Sequence, residues 1–66
     1  MIVFCNGKER QVEDDCMLSD LLARLELNPK TVVVECNKVI VNPEEYADFI
    51  LPELARLELI RFVGGG

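Results

Sequence analysis

The sequence predicts an α+β domain in which a single mixed sheet of four to five strands packs on one main helix. Three observations predict it. Apolar, partly β-branched stretches stand at both ends of the chain and in its middle, as strands require. One segment between them carries leucines at helical spacing. The length, 66 residues, fits one small domain and not two. A chain of that size buries only roughly 60% of the surface its unfolded form exposes. One helix must therefore cover one face of one sheet, because nothing else can bury its leucines.

The first strand is predicted at residues 1–5, running into Asn6-Gly7. That dipeptide is a strong hairpin signal, since both central residues of a type I′ turn need φ > 0. Residues 8–13 then form a polar second strand with Val12 facing in. A helix follows over 17–27, where Leu18, Leu21, Leu22 and Leu25 make one apolar stripe. Asp14 or Asp15 is expected to cap its start, Asp20 and Arg24 to pair on its exposed side, and Asn28-Pro29 to stop it. Residues 31–36 are a third strand, Asn37-Lys38 a turn, and 39–41 a short fourth strand. The segment from Asn42 to Tyr46 reads as a capped helical turn with Pro43 at an early position. Tyr46, Phe49 and Ile50 are expected to plug the open end of the core. The last strand spans 56–63. The predicted division is a domain over 1–63 and a glycine tail over 64–66.

Composition excludes several kinds of chemistry. There is no His, so an imidazole base, a Ser-His-Asp relay and a His-bound zinc are absent from this chain. The net charge of −5, with no expected Lys/Arg cluster to reverse it locally, argues against nucleic acid as a partner. No apolar run reaches membrane-spanning length, and the N-terminus lacks the basic start of a signal peptide, which makes the cytosol the expected compartment. Cys5, Cys16 and Cys36 match no metal or redox spacing and read as free thiols. Cys5 and Cys36 suit small core positions, and the charges of Asp14 and Asp15 are expected to disfavour a Cys16 thiolate.

Strand alternation suggests a binding surface. If Met1, Val3 and Cys5 face the helix, Ile2 and Phe4 face away. If Leu57 and Leu59 face in, then Glu58, Ile60 and Phe62 face out; the opposite phase would bury Glu58. With the first and last strands as neighbours, Ile2, Phe4, Ile60 and Phe62 are expected to cluster on the uncovered sheet face, near the tail, as a protein-docking patch.

The chain closes on Gly64-Gly65-Gly66. Without Cβ atoms such a segment is thin and pliable, able to thread a narrow channel and bring a carboxylate to another protein's active site. A helix crossover that sets the last strand beside the first in parallel gives a ubiquitin-like β-grasp. A glycine end leaving that strand is how ubiquitin-like proteins present a reactive carboxylate.

With these features in place, the sequence resembles the ThiS family, the sulfur carrier proteins of thiamine biosynthesis, over essentially its whole length. The resemblance rests on Asn6-Gly7, the Leu21-Leu22-x-x-Leu25 helix, Val32-Val33-Val34-Glu35-Cys36-Asn37, Ile40-Val41 with Tyr46 beyond, and the ending Arg61-Phe62-Val63-Gly64-Gly65-Gly66. Three stretches depart from the family. Its usual Gly-x-Thr before the helix reads Asp15-Cys16-Met17 here, its Gly-Asp before the last strand reads Leu54-Ala55, and its Val-Pro-Arg reads Val41-Asn42-Pro43. Loss of Gly-Asp leaves room for a short helix through 52–56.

The resemblance implies a co-substrate rather than an enzyme. A ubiquitin-activating-like adenylyltransferase of the ThiF type would adenylate the Gly66 carboxylate. A cysteine desulfurase or rhodanese-type donor would supply sulfur to form a thiocarboxylate, and thiazole synthase (ThiG type) would accept it. Gly64 and Gly65 would serve as the tail. No cofactor would be held by this chain; ATP and magnesium would belong to the activating enzyme. Arg61 reads as a solvated strand charge or a contact to an acidic partner surface. The small subunit of molybdopterin synthase or another sulfur-transfer carrier is the alternative within the fold. A ubiquitin-like interaction module or modifier is the non-carrier alternative.

Overall fold

The computed structural model describes residues 1–61. Five strands, β1 (Ile2–Cys5), β2 (Lys8–Gln11), β3 (Val32–Cys36), β4 (Val39–Ile40) and β5 (Arg56–Arg61), form one sheet in the order β2-β1-β5-β3-β4. The helix α1 (Leu18–Arg24) packs on one face. The hairpins β1/β2 and β3/β4 are antiparallel, β5 runs parallel to β1 and antiparallel to β3, and β5 is thus the central strand. This is the predicted β-grasp.

Alternation places the core. Val3 and Cys5 of β1, Val32, Val34 and Cys36 of β3, and Leu57 and Leu59 of β5 are buried against Leu18, Leu21 and Leu22 of α1. Val12 is buried just beyond β2, its N–H donating to the Met1 carbonyl at 2.8 Å. All three cysteines are buried free thiols. Burial is the main reason the Cys16 thiol is pushed up; its acidic neighbours are Asp20 and Glu13, rather than the expected Asp14 and Asp15.

Both hairpin turns take the backbone that their residues favour. Asn6 and Gly7 have φ of 51° and 84°, and Asn37 and Lys38 have 51° and 72°, the two positive values that a type I′ turn needs. Each asparagine then does a second job on the central strand. Leu59 N–H donates to Asn6 Oδ1 at 2.8 Å, while Asn6 Nδ2 donates to the Leu59 carbonyl at 3.2 Å. On the other side Arg56 N–H donates to Asn37 Oδ1 at 2.9 Å. Two turn side chains therefore extend the hydrogen-bond ladder to β5 where the neighbouring backbones turn away.

The helix is shorter than its leucine pattern suggests, and both ends differ from expectation. Met17, not Asp14 or Asp15, is the N-cap residue, and its side chain makes no capping bond. Backbone from the 42–51 segment takes over: Leu18 N–H donates to the Phe49 carbonyl at 2.8 Å and Ser19 N–H to the Tyr46 carbonyl at 3.0 Å, satisfying two donors that a helix start leaves open. Asp15 instead sits in a turn at φ 61°, where the family's glycine would stand. At the other end Glu26 takes φ 59°, with Leu27 N–H donating to Leu22 at 2.9 Å and Glu26 N–H to Ala23 at 3.0 Å, a Schellman stop ahead of Asn28-Pro29. Asp20 and Arg24 do not pair; among the described residues the one ion pair is the N-terminus with Asp14, at 3.4 Å.

The 42–51 segment is a lid on the open end of the core. Asn42 caps a 3-10 turn, Pro43–Glu45, by accepting from Glu44 N–H at 3.0 Å, as predicted. Tyr46 is buried and its hydroxyl donates to the Val32 carbonyl at 3.1 Å. Phe49 packs on the core, but Ile50 is 51% exposed, because its backbone bridges to Met17 and turns the side chain outward. No helix forms through 52–56. Leu54 adopts φ 61°, where the family has glycine, and the chain makes a turn closed by Ala55 N–H to Pro52 at 3.2 Å before β5 begins.

Candidate functional site: the end of the central strand

The predicted site has three parts: the glycine tail, the apolar open face, and Arg61. Gly64, Gly65, Gly66 and Phe62 lie outside the described residues. What the structure does place is the strand that leads to them. β5 is held by β1 and the Asn6 side chain on one side and by β3 on the other, where Val32 pairs with Arg61. The Tyr46 hydroxyl holds that same Val32. The last described residue thus stands on a braced base.

On the open face the strand phase is as expected: Leu57 and Leu59 are buried, Glu58 and Ile60 exposed. Of the predicted docking residues Ile2, Phe4 and Ile60 are described, and Ile60 stands apart from the other two; Phe62 lies outside the described residues. In the β1/β5 pairing Phe4 lies beside Arg56, so Ile60 is four residues further along, about 13 Å away at strand rise. Ile2 is further still. The parallel register is the reason: β1 ends at Cys5, opposite Leu57, and β5 continues past it toward the tail. Ile2 and Phe4 are half-buried at the far end, with the Arg56 guanidinium 5.1 Å from the Phe4 ring centre.

Ile60, 47% exposed, has a different neighbour. It pairs with Val33 of β3, and Ile40 lies on the same face beside Glu35. Val33 and Ile40 were missed by reading the sequence; strand alternation places both on the open face once the β3/β5 register is known. Next to this apolar group Glu35 and Glu58 sit directly opposite one another.

The helix-covered face ends in a second feature. Lys8 and Arg10 from β2 and Arg61 from β5 line one cleft of about 310 Å³, with Leu25 and Leu27 as its apolar wall. The sequence shows no run of basic residues, but the fold assembles three of the seven in one place, correcting the expectation that no local cluster exists. Arg61 faces this cleft and not the open face, as its parity with Leu57 and Leu59 requires. Among the described residues no group of His, Cys, Asp and Glu is arranged to hold a metal ion, and no helix is long and apolar enough to cross a membrane.

Comparison with known proteins agrees with this geometry. The ThiS family model matches residues 3–66. The chain is 40% identical over 62 residues to the sulfur carrier protein ThiS of Bacillus subtilis (strain 168), covering 92% of this chain and 94% of that protein. It is 35% identical over 66 residues to a thiazole synthase of Magnetococcus marinus, covering all of this chain but only 20% of that longer protein. The crystal structure of a thiamine biosynthesis protein (ThiS) from Geobacter metallireducens superposes with a TM-score of 0.83 over the whole of both chains, at 26% identity. A ubiquitin-like sheet with the last strand at its centre, and a family match reaching through the glycine end, together place this chain in the ThiS family.

Proposed function

We propose that this protein is a sulfur carrier for thiamine thiazole formation and acts as a co-substrate, with the Gly66 carboxylate as its reactive group. The observation that carries the reading is the family match through residue 66, on a fold whose braced central strand is the last described element before Gly64-Gly65-Gly66 in the sequence. The similarity of this entire chain to a fifth of a thiazole synthase supports that enzyme as the receiver of the sulfur.

The chemistry follows from the leaving group. A carboxylate oxygen is a poor one and AMP a good one. An E1-like adenylyltransferase would join the Gly66 carboxylate to AMP from ATP, releasing pyrophosphate, with magnesium held by that enzyme. The terminal sulfur of a persulfide, on a cysteine desulfurase or rhodanese-type donor, attacks the acyl carbon and expels AMP. A thiol then cleaves the resulting acyl disulfide, leaving the thiocarboxylate on Gly66 and a disulfide on the donor side. The carbonyl-bound sulfur is the nucleophile delivered to thiazole synthase. Ile60 with Val33 beside it, together with Phe62 two residues on in the sequence, is the proposed docking group. Ile2 and Phe4 belong to its remote end.

Intact-mass measurement tests the proposal. After incubation with ATP, the adenylyltransferase and a persulfide donor, the protein should gain the mass of one oxygen replaced by sulfur, located on Gly66. Deleting Gly65 and Gly66 should abolish the gain while the fold persists. A truncated protein that still delivers sulfur, or no gain with a competent cognate enzyme, would overturn it.

A further inference from the structure

The basic cleft is not used by the chemistry above. It opens on the helix side of the sheet, opposite the face proposed to dock through Ile60, and Arg61 on its rim is the residue before Phe62. Lys8 and Arg10 stand two residues apart on β2, on the same side, opposite Cys5 and Val3 respectively. Among the described residues none of the three cations has a carboxylate within 4 Å; the single ion pair there is at the N-terminus. Among the described residues, then, no ion pair neutralises them, in a protein whose net charge is −5. The cleft is also shaped: Asn6 ties the β1/β2 turn to Leu59, fixing the wall that carries Lys8 relative to the strand that carries Arg61.

We propose that this cleft, resting on the sulfur-carrier reading, seats an acidic segment of thiazole synthase that carries an apolar residue for the Leu25/Leu27 wall. Charge complementarity selects the segment's sign, since three cations converge with no ion-pair partner among the described residues. The leucines select a peptide over a phosphate-rich polymer, and the acidic remainder of the surface repels any long polyanion. The location gives the contact its role. A partner gripping Arg61 from the helix side and Ile60 from the open side holds both faces of the strand end that leads to the tail, and so aims the carried sulfur.

The test is binding of the full-length protein to purified thiazole synthase, by calorimetry at low and at moderate salt. Lys8→Glu with Arg10→Glu should weaken binding roughly tenfold or more, with the wild-type affinity falling steeply as salt rises. The neutral pair Lys8→Gln with Arg10→Gln should fall between. A control with the same charge change elsewhere, Lys30→Glu with Lys38→Glu, should weaken binding far less. Since β2 is exposed along its length, thermal midpoints of the cleft variants should stay close to wild type. Unchanged affinity of the folded cleft variants, or a loss equal to the control's, overturns the cleft proposal and leaves the carrier reading standing. Loss of binding to the adenylyltransferase alone overturns the assignment to the synthase. Wild-type protein that never binds the synthase brings down the thiazole reading and the cleft with it.

Discussion

Asn6 is the residue whose replacement tests the bracing of the tail's base most directly. Its side chain accepts from Leu59 N–H at 2.8 Å and donates to the Leu59 carbonyl at 3.2 Å, at a point where β1 has already turned into the hairpin. Asn6→Gly keeps the positive φ of 51° accessible and deletes only the two side-chain bonds. Each net hydrogen bond is worth about 1 kcal/mol, and at a left-handed turn position glycine adds no steric cost of its own. The expected loss is about 2 kcal/mol. A domain of this length holds on the order of 3–10 kcal/mol in total, so the variant should remain folded under native conditions but unfold at clearly lower urea. Urea titration followed by circular dichroism measures the loss, and amide exchange locates it: the Leu59 N–H should lose protection more than the Val3 or Val34 N–H. Sulfur acceptance should fall as well, because the strand end that presents the tail is less well fixed. A stability within about 0.5 kcal/mol of wild type, with Leu59 protection unchanged, would refute the view that this side chain completes the sheet.

Four other outcomes are expected. Tyr46→Phe should cost about 1–2 kcal/mol in urea unfolding, because it strands the Val32 carbonyl that the hydroxyl now satisfies; no change would mean the bond is dispensable. Glu26→Gly should raise stability by roughly 1 kcal/mol, since a left-handed φ of 59° suits glycine better than glutamate; a drop in thermal midpoint would contradict the Schellman stop. Under reducing conditions stability should fall from about pH 9 upward. Burial holds the thiols of Cys5, Cys16 and Cys36 above their ordinary 9.0 and Tyr46 above its ordinary 10.0, so the unfolded chain loses these protons first. The stability is fully present below the unfolded pKa and is lost as pH passes through the folded one; a urea midpoint that holds or rises between about pH 7 and pH 10 would contradict this. Ile60→Asp, at a 47% exposed position, should weaken binding to the adenylyltransferase or to thiazole synthase with little change in thermal midpoint, whereas a collapse of the fold would show that Ile60 serves the core instead.

What the sequence by itself determined was the periodic part of the protein. Val3 and Cys5, Val32, Val34 and Cys36, and Leu57 and Leu59 alternate, so their burial follows from the pleat of a strand. The Leu18, Leu21 and Leu22 stripe likewise had to face the sheet, and Asn6-Gly7 had to turn. The ending Gly64-Gly65-Gly66 could be read as a candidate reactive end without any structure, because the reading rests on residue type and position and not on packing. The helix ends were not legible. Met17 has no capping oxygen, and the carbonyls of Tyr46 and Phe49 that replace it come from residues about thirty positions away. The second role of Asn6 and Asn37 was hidden for the same reason: a turn signal is local, whereas their bonds to β5 are not. Asp15, Glu26 and Leu54 hold left-handed backbone without glycine, which only the surrounding fold can impose. Register decided the surface. Alternation says which face a side chain takes but not how far along the neighbouring strand it lies. That one undetermined number separated Ile60 from Phe4, joined it to Val33, and brought Lys8, Arg10 and Arg61 around a single cleft.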